Sequence, residues 1–113
     1  MARGRIDLGI CPVEITLKLI GSKWKLLTLR NLLNCSIQRF SELARGINDI
    51  SQKMLTQHLR QMEDDGLVLR TVYAEVPPRV EYSLTDKGKS LKPIIDAMHD
   101  WGMAFNEEDS NYV

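Results

Sequence analysis

Apolar residues recur along this chain with two different periods, and the changes of period divide it into segments. Residues 1–10 carry scattered charge and glycine and read as a loose arm. Cys11-Pro12 then opens a helix, because proline suits the first helical position and leaves Cys11 near the N-cap. Within it Val13, Leu17 and Ile20 share one face, while Ile15 and Leu19 share another, so the helix is apolar on two sides. Gly21-Ser22 ends it. A second helix over Lys23–Leu33 is apolar nearly all round (Trp24, Leu26, Leu27, Leu29, Leu32, Leu33) and belongs at the centre of a core. Gln38-Arg39-Phe40 reads as a small strand, after which Ser41 caps a short helix bearing Leu43, Ala44 and Ile47. Asn48-Asp49 supplies a turn, and Ser51 caps a further helix that runs to about Asp65 and stops at Gly66.

The period then drops to two. Leu67–Ala74 and Arg79–Thr85 read as strands, and in the second Val80, Tyr82 and Leu84 alternate with Arg79, Glu81 and Ser83. Pro77-Pro78 cannot donate to a ladder, so Glu75–Pro78 forms the tip of a hairpin. Thr85 caps a final long helix whose stripe is Leu91, Ile94, Ile95, Met98, Trp101 and Phe105, with Pro93 kinking it from inside.

The predicted order is α-α-β-α-α-β-β-α, mainly α with a small β-hairpin (α+β). A short helix, a tight turn, a second helix and a hairpin wing make a winged helix-turn-helix. The 113 residues fit one domain, with the helix-turn-helix at 41–65 and the wing at 67–85.

One helix carries candidate chemistry. At ~100° per residue, Gln52, Lys53, Thr56, Gln57, Arg60 and Gln61 fill one half of the wheel, while Met54, Leu55, His58, Leu59 and Met62 fill the other. Gln and Arg bond bidentately to adenine and guanine edges, and Thr reaches bases or phosphates. Acids come only at Glu63-Asp64-Asp65, away from the N-terminal half that recognition helices present to bases. Ser51, Gln52, Lys53, Thr56, Gln57 and Arg60 are therefore the base- and phosphate-facing candidates. Arg70 and Arg79 are candidates on the wing, for phosphate or the minor groove. Lys23 and Lys25, at a helix start where they oppose the dipole, are backbone candidates of lower rank.

Charge changes the picture once it is located. Fifteen basic and fifteen acidic residues give a net charge of zero, which for a nucleic-acid binder is unusual. Up to Arg60, however, ten bases meet four acids, and beyond it five bases meet eleven acids. The zero is two opposed halves of +6 and −6. Hydrophobic content of 43% excludes wholesale disorder, and no apolar run reaches the ~18 residues of a membrane span. Asp7 and Glu14 interrupt any signal-peptide core, so a reducing cytoplasm is expected.

Taken in order, the motifs resemble the HxlR-type winged-helix transcriptional regulators, relatives of the MarR group. The resemblance rests on Cys11-Pro12-Val13, Gly21, Lys23-Trp24, Arg39-Phe40-Ser41-Glu42-Leu43 and Ile50-Ser51-Gln52-Lys53-Met54-Leu55-Thr56. It continues through Asp65-Gly66-Leu67-Val68, Arg70, Val76–Thr85, Gly88, Leu91, Pro93 and Trp101-Gly102. Two turns depart from the pattern: Asn34-Cys35-Ser36 and Asp49 stand where glycine is common in the family. The resemblance implies a homodimer that binds double-stranded operator DNA and represses or activates nearby genes, repression being the expected sense; a two-fold dimer would take a near-palindromic site. It also implies that the helices at 11–20 and 86–106 build the dimer interface through Ile15, Leu19, Leu91, Ile94, Ile95, Met98, Trp101 and Phe105.

Several relatives sense oxidants or electrophiles through a cysteine at the position of Cys11, and a helix N-terminus favours thiolate. A free cysteine is as often a small buried hydrophobe, so the sequence leaves both roles open, and a small-molecule effector with them. Cys35 carries no assignable role. Neither a phosphate loop, a nucleophile elbow nor metal-ligand spacing is present, so no catalysis, metal or cofactor is expected. The alternative is a winged helix used only for protein contacts.

Overall fold

In the computed structural model, which describes residues 9–108, everything packs around the helix that the sequence paints apolar on all sides. Helix α1 (Pro12–Ile20) leads through Gly21 and Ser22 into α2 (Lys23–Asn34). Ser22 caps α2 by accepting from the backbone N–H groups of Trp24 and Lys25. Leu29 and Leu32 of α2 are fully buried, and so is Thr28, whose hydroxyl donates to the Trp24 carbonyl at 2.8 Å. A polar side chain thus sits in the core without an unmet hydrogen bond.

Strand β1 (Gln38–Arg39) is followed by α3 (Phe40–Gly46), α4 (Gln52–Asp64), β2 (Val68–Tyr73), β3 (Arg79–Leu84), α5 (Asp86–Lys89) and α6 (Lys92–Glu108). The sheet is antiparallel in the order β1-β3-β2, with Gln38 opposite Tyr82 and Arg70 opposite the same Tyr82 on the other side. Leu43 of α3 and Ile47 just after it, Leu55, Leu59 and Met62 from α4, and Val68, Tyr82 and Leu84 from the sheet close the core over α2. The architecture is the expected winged helix-turn-helix. The Val76–Pro77 peptide at the hairpin tip is cis.

Three local expectations are corrected. Phe40 belongs to α3 rather than β1, and the cap is Arg39 rather than Ser41. Glu42 reaches back to accept from the Arg39 N–H at 2.8 Å, and the helix starts two residues earlier than expected. Second, the terminal helix over 86–106 is two helices. Thr85 caps only the four residues of α5, and the chain turns at Ser90-Leu91 before α6 begins. Third, Pro93 does not kink a helix interior. It occupies the second position of α6, where a missing N–H costs nothing. The Asn48-Asp49 turn forms as expected, with Asp49 in the left-handed region at φ 66°, which gives the physical reason why glycine suits that position. The arm at 1–10 lies outside the described residues except for Gly9 and Ile10.

The close approach of α5 to the start of the wing requires a glycine. Gly88 is buried, and a Cβ there would collide with the backbone carbonyl of Leu67 and crowd Leu84. Gly88→Ala is expected to lower unfolding stability by about 1–3 kcal/mol, as overpacking against backbone does. A urea melt with an unchanged midpoint would contradict this packing.

Candidate nucleic-acid interface

The rotation of α4 about its axis is set from both ends and from one side. Ser51 accepts from the Met54 N–H at 3.1 Å and starts the helix. Gly66, at φ 77°, stops it in the left-handed conformation that only glycine adopts at no steric cost. Leu55, Leu59 and Met62 are buried, so the opposite half of the helix must face outward. Gln52, Lys53, Gln57, Arg60 and Gln61 are exposed and Thr56 is half-buried. Together with Phe40 and Asp64 they line an open cleft of about 870 Å³.

The wing joins this surface through one residue. Val68 is buried on the face of β2 that meets α4, and Arg70, two residues on, shares that face. Arg70 lines a smaller cavity of about 330 Å³ with Thr56, Leu59, Arg60, Glu63 and Tyr82. Thr56 and Arg60 border both spaces, so the helix face and the wing form one continuous polar surface.

Three expected cations stand apart from it. Arg79 is not a free wing-tip charge: its guanidinium lies 3.2 Å from Glu75 and 3.7 Å from Glu81, and stacks on Tyr73 at 4.1 Å. The alternation that puts Arg79 and Glu81 on one strand face explains this, and it braces the tip. Lys23 folds over the Trp24 ring at 4.6 Å, and Lys25 sits near His58 on the core side of α4. Neither lines the cleft. Conversely, Gln61 and Phe40 do line it. Gln61 lay on the polar half of the helical wheel, whereas nothing in the sequence pointed to Phe40.

A separate surface is apolar. Val13 (72% exposed) and Leu17 (61%) of α1 border a groove of about 370 Å³ with Ile94 and Met98 of α6. Farther along α6, Trp101 (66% exposed) and Phe105 (49%) pack on each other, ring centroids 4.3 Å apart. Ile15 is likewise exposed and Leu19 half-buried. Leu91 and Ile95 correct the expectation: both are buried in the core of this chain, because α6 lays its first turn against α2, so they offer no surface to a second molecule. Val13 and Leu17 are exposed on this side instead. Cys11 is exposed at the N-cap of α1 and makes no side-chain capping bond, and Cys35 is exposed in its turn.

Comparison with known proteins identifies this arrangement. A model of the HxlR-like helix-turn-helix family matches residues 19–110. The chain belongs to that family. An HTH-type transcriptional regulator of Methanothermobacter thermautotrophicus is 50% identical over 105 residues, covering 93% of this chain and 79% of the relative. The redox regulator HypR in its reduced form superimposes with a TM-score of 0.83 at 44% identity, over 90% of this chain and 100% of that one. Its oxidised form gives a TM-score of 0.79 at 48% identity, over 83% and 96%. This HxlR-family chain is therefore a helix-turn-helix transcriptional regulator and not an enzyme. No helix among the described residues is long and apolar enough to cross a membrane.

The surroundings of His58 move its titration clearly. Burial against the core, and secondarily the nearby Lys25 ammonium, push its pKa below 6.5, and its Nδ1 has no hydrogen-bond partner. The folded chain thus favours neutral His58, while the unfolded chain protonates normally. Stability from this group is present above the unfolded pKa and falls as pH drops through 6.5 toward the folded value. Thermal melts between pH 7.5 and 5.5 are expected to show that loss, and His58→Gln should flatten it. A slope that is the same in both proteins would assign the pH dependence elsewhere.

Proposed function

We propose that this regulator is a homodimer that binds a near-palindromic operator in duplex DNA through α4 and acts as a repressor by occupying it in the cytoplasm. The observation that carries the reading is the polar half of α4: Gln52, Lys53, Thr56, Gln57 and Arg60 in line and without an acid until Glu63, flanked by Arg70 of the wing. Such a face suits a major groove, where Gln and Arg read base edges and Lys meets phosphate. Ser51 serves the same helix as its cap. Arg79 supports the wing as a brace, while Lys23 and Lys25 are left with at most distant phosphate contacts.

The dimer is supported by the uncovered stripe of Val13, Ile15, Leu17, Ile94, Met98, Trp101 and Phe105. Exposed apolar surface of this extent marks an interaction site. The radius of gyration, 16.2 Å, exceeds the roughly 13 Å of a compact chain this long. A two-fold partner would place two copies of α4 in successive major grooves ~34 Å apart.

The test is selection of bound duplexes from genomic fragments, followed by titration of the best site. Two chains per duplex are expected, with affinity falling steeply as salt rises. Arg60→Ala should cost about tenfold or more at the selected site, in line with ~1–3 kcal/mol for a base-reading arginine. Binding indifferent to sequence, or to Arg60→Ala, would leave the protein-contact reading in its place.

Cys11 gives this regulator a means of responding to oxidant. Its exposed thiol at a helix start, near the apolar stripe, and the chain's similarity to a protein described as a redox regulator support that role. Mild thiol oxidant is expected to weaken operator binding by about tenfold, a shift of ~1.4 kcal/mol, and Cys11→Ser should abolish the response. A response retained by Cys11→Ser would move the sensing elsewhere.

A further inference from the structure

One cavity shares no lining residue with either the cleft along α4 or the groove between α1 and α6. It lies where the C-terminal end of α2, the β1–β3 side of the sheet and the α5–α6 junction meet, and holds about 490 Å³. That size is within the range of small-molecule sites. Its floor is apolar, made by Leu32, Leu33 and Leu84, and Ile37 stands 59% exposed beside it. Its polar groups are of one kind of chemistry. Ser36, Ser83, Lys89 and Lys92 line it, and no acidic residue does.

The two lysines are not equivalent. Lys92 is held by Asp96 at 2.6 Å, so its charge is largely answered within α6. Lys89 has no carboxylate within 4.0 Å among the described residues. An apolar floor with one unanswered ammonium and two hydroxyls at its side matches a molecule with an apolar body and one anionic head. A bare inorganic anion would gain nothing from the leucines. A neutral hydrocarbon would gain nothing from Lys89.

We propose that this cavity binds a small monocarboxylic organic acid, its aromatic or acyl body against Leu32, Leu33, Leu84 and Ile37 and its carboxylate on Lys89. The site is built by a single chain. It touches α2, which supports the recognition helix, and the start of α6, which carries the exposed apolar stripe. An occupant that fits one spacing of these elements better than another shifts operator affinity, and operator binding shifts acid affinity by the same factor. This regulatory consequence rests on the proposed DNA-binding function; the binding site itself does not.

Calorimetric titration of the full chain with 2-naphthoate and with octanoate tests the site, with 2-naphthamide and octanamide as neutral controls. At least one acid is expected to saturate at one molecule per chain with a Kd at or below about 1 mM, and its amide to bind about tenfold more weakly. Lys89→Gln is expected to bring the acid down to the level of the amide, and Ile37→Ser to weaken acid and amide alike. Both side chains are exposed, so thermal melts should show both variants folded. The proposal is overturned if neither acid saturates by about 5 mM, if acids and amides bind equally, or if Lys89→Gln changes nothing. None of these titrations contains DNA, so their failure is separate from a failure of operator binding. Repeating the operator titration with saturating acid reads the regulatory part: a changed affinity supports it, and an unchanged one overturns it.

Discussion

The burial of one half of α4 is the constraint from which the rest follows. Leu55, Leu59 and Met62 are buried to within 2% of complete exclusion from solvent. Each such side chain contributes roughly 1.5–3 kcal/mol by leaving water. Rotating α4 to present other residues would expose all three at once. The outward direction of Gln52, Lys53, Gln57 and Arg60 is therefore fixed by the apolar half, not by any contact of their own. A reading surface needs that arrangement, because side chains that must bond to DNA cannot also be tied to the protein.

The same helix is anchored at its far end by the segment that begins the terminal helices. The Thr85 hydroxyl donates to the Gly66 carbonyl and accepts from the Gly88 N–H. Lys87 donates to the Asp65 carbonyl at 2.9 Å. Asp65 closes α4, so this cation sits where a helix end accumulates negative charge, and it offsets the acids of the last turn. The end of the recognition helix, the start of the wing and the start of α5 thus meet in one small junction. Gly88 is required there because the Leu67 backbone leaves no room for a side chain.

The winged-helix architecture was legible because each element announces itself within a few residues: Ser51 and Thr85 as caps, Gly66 as a stop, alternation in Arg79–Leu84. The polar face of α4 was legible for the same reason, since helical periodicity is a local property. What could not be read was which neighbour each side chain meets. Arg79 looks free in sequence, and only the hairpin register puts Glu75, Glu81 and Tyr73 around it. Leu91 and Ile95 share a helical stripe with Ile94, Met98 and Trp101, yet the break at Ser90-Leu91 places the first two in the core and leaves the others outside. Periodicity assigns a face but not where along that face the core ends. The cap at Arg39 escaped because it depends on a side chain, that of Glu42, reaching backward.

The modest charge of the reading surface and the bare stripe on α6 answer one another. With Arg79 neutralised by its two glutamates, the cations left on the polar surface are Lys53, Arg60 and Arg70, with Glu63 and Asp64 at its edge. A few phosphate contacts give weak attachment at physiological salt, because affinity grows with the number of counterions released. One head alone is therefore a poor binder. In the proposed dimer, joining two heads through Val13, Leu17, Met98 and Trp101 would double the contacts and make the second engagement intramolecular, so a correctly spaced pair of half-sites would be held far more tightly than any single one. A more basic chain would bind all DNA. In that proposed dimer, a net charge of zero, local cations on α4 and β2, and an apolar contact between two copies would make tight binding depend on sequence and spacing together.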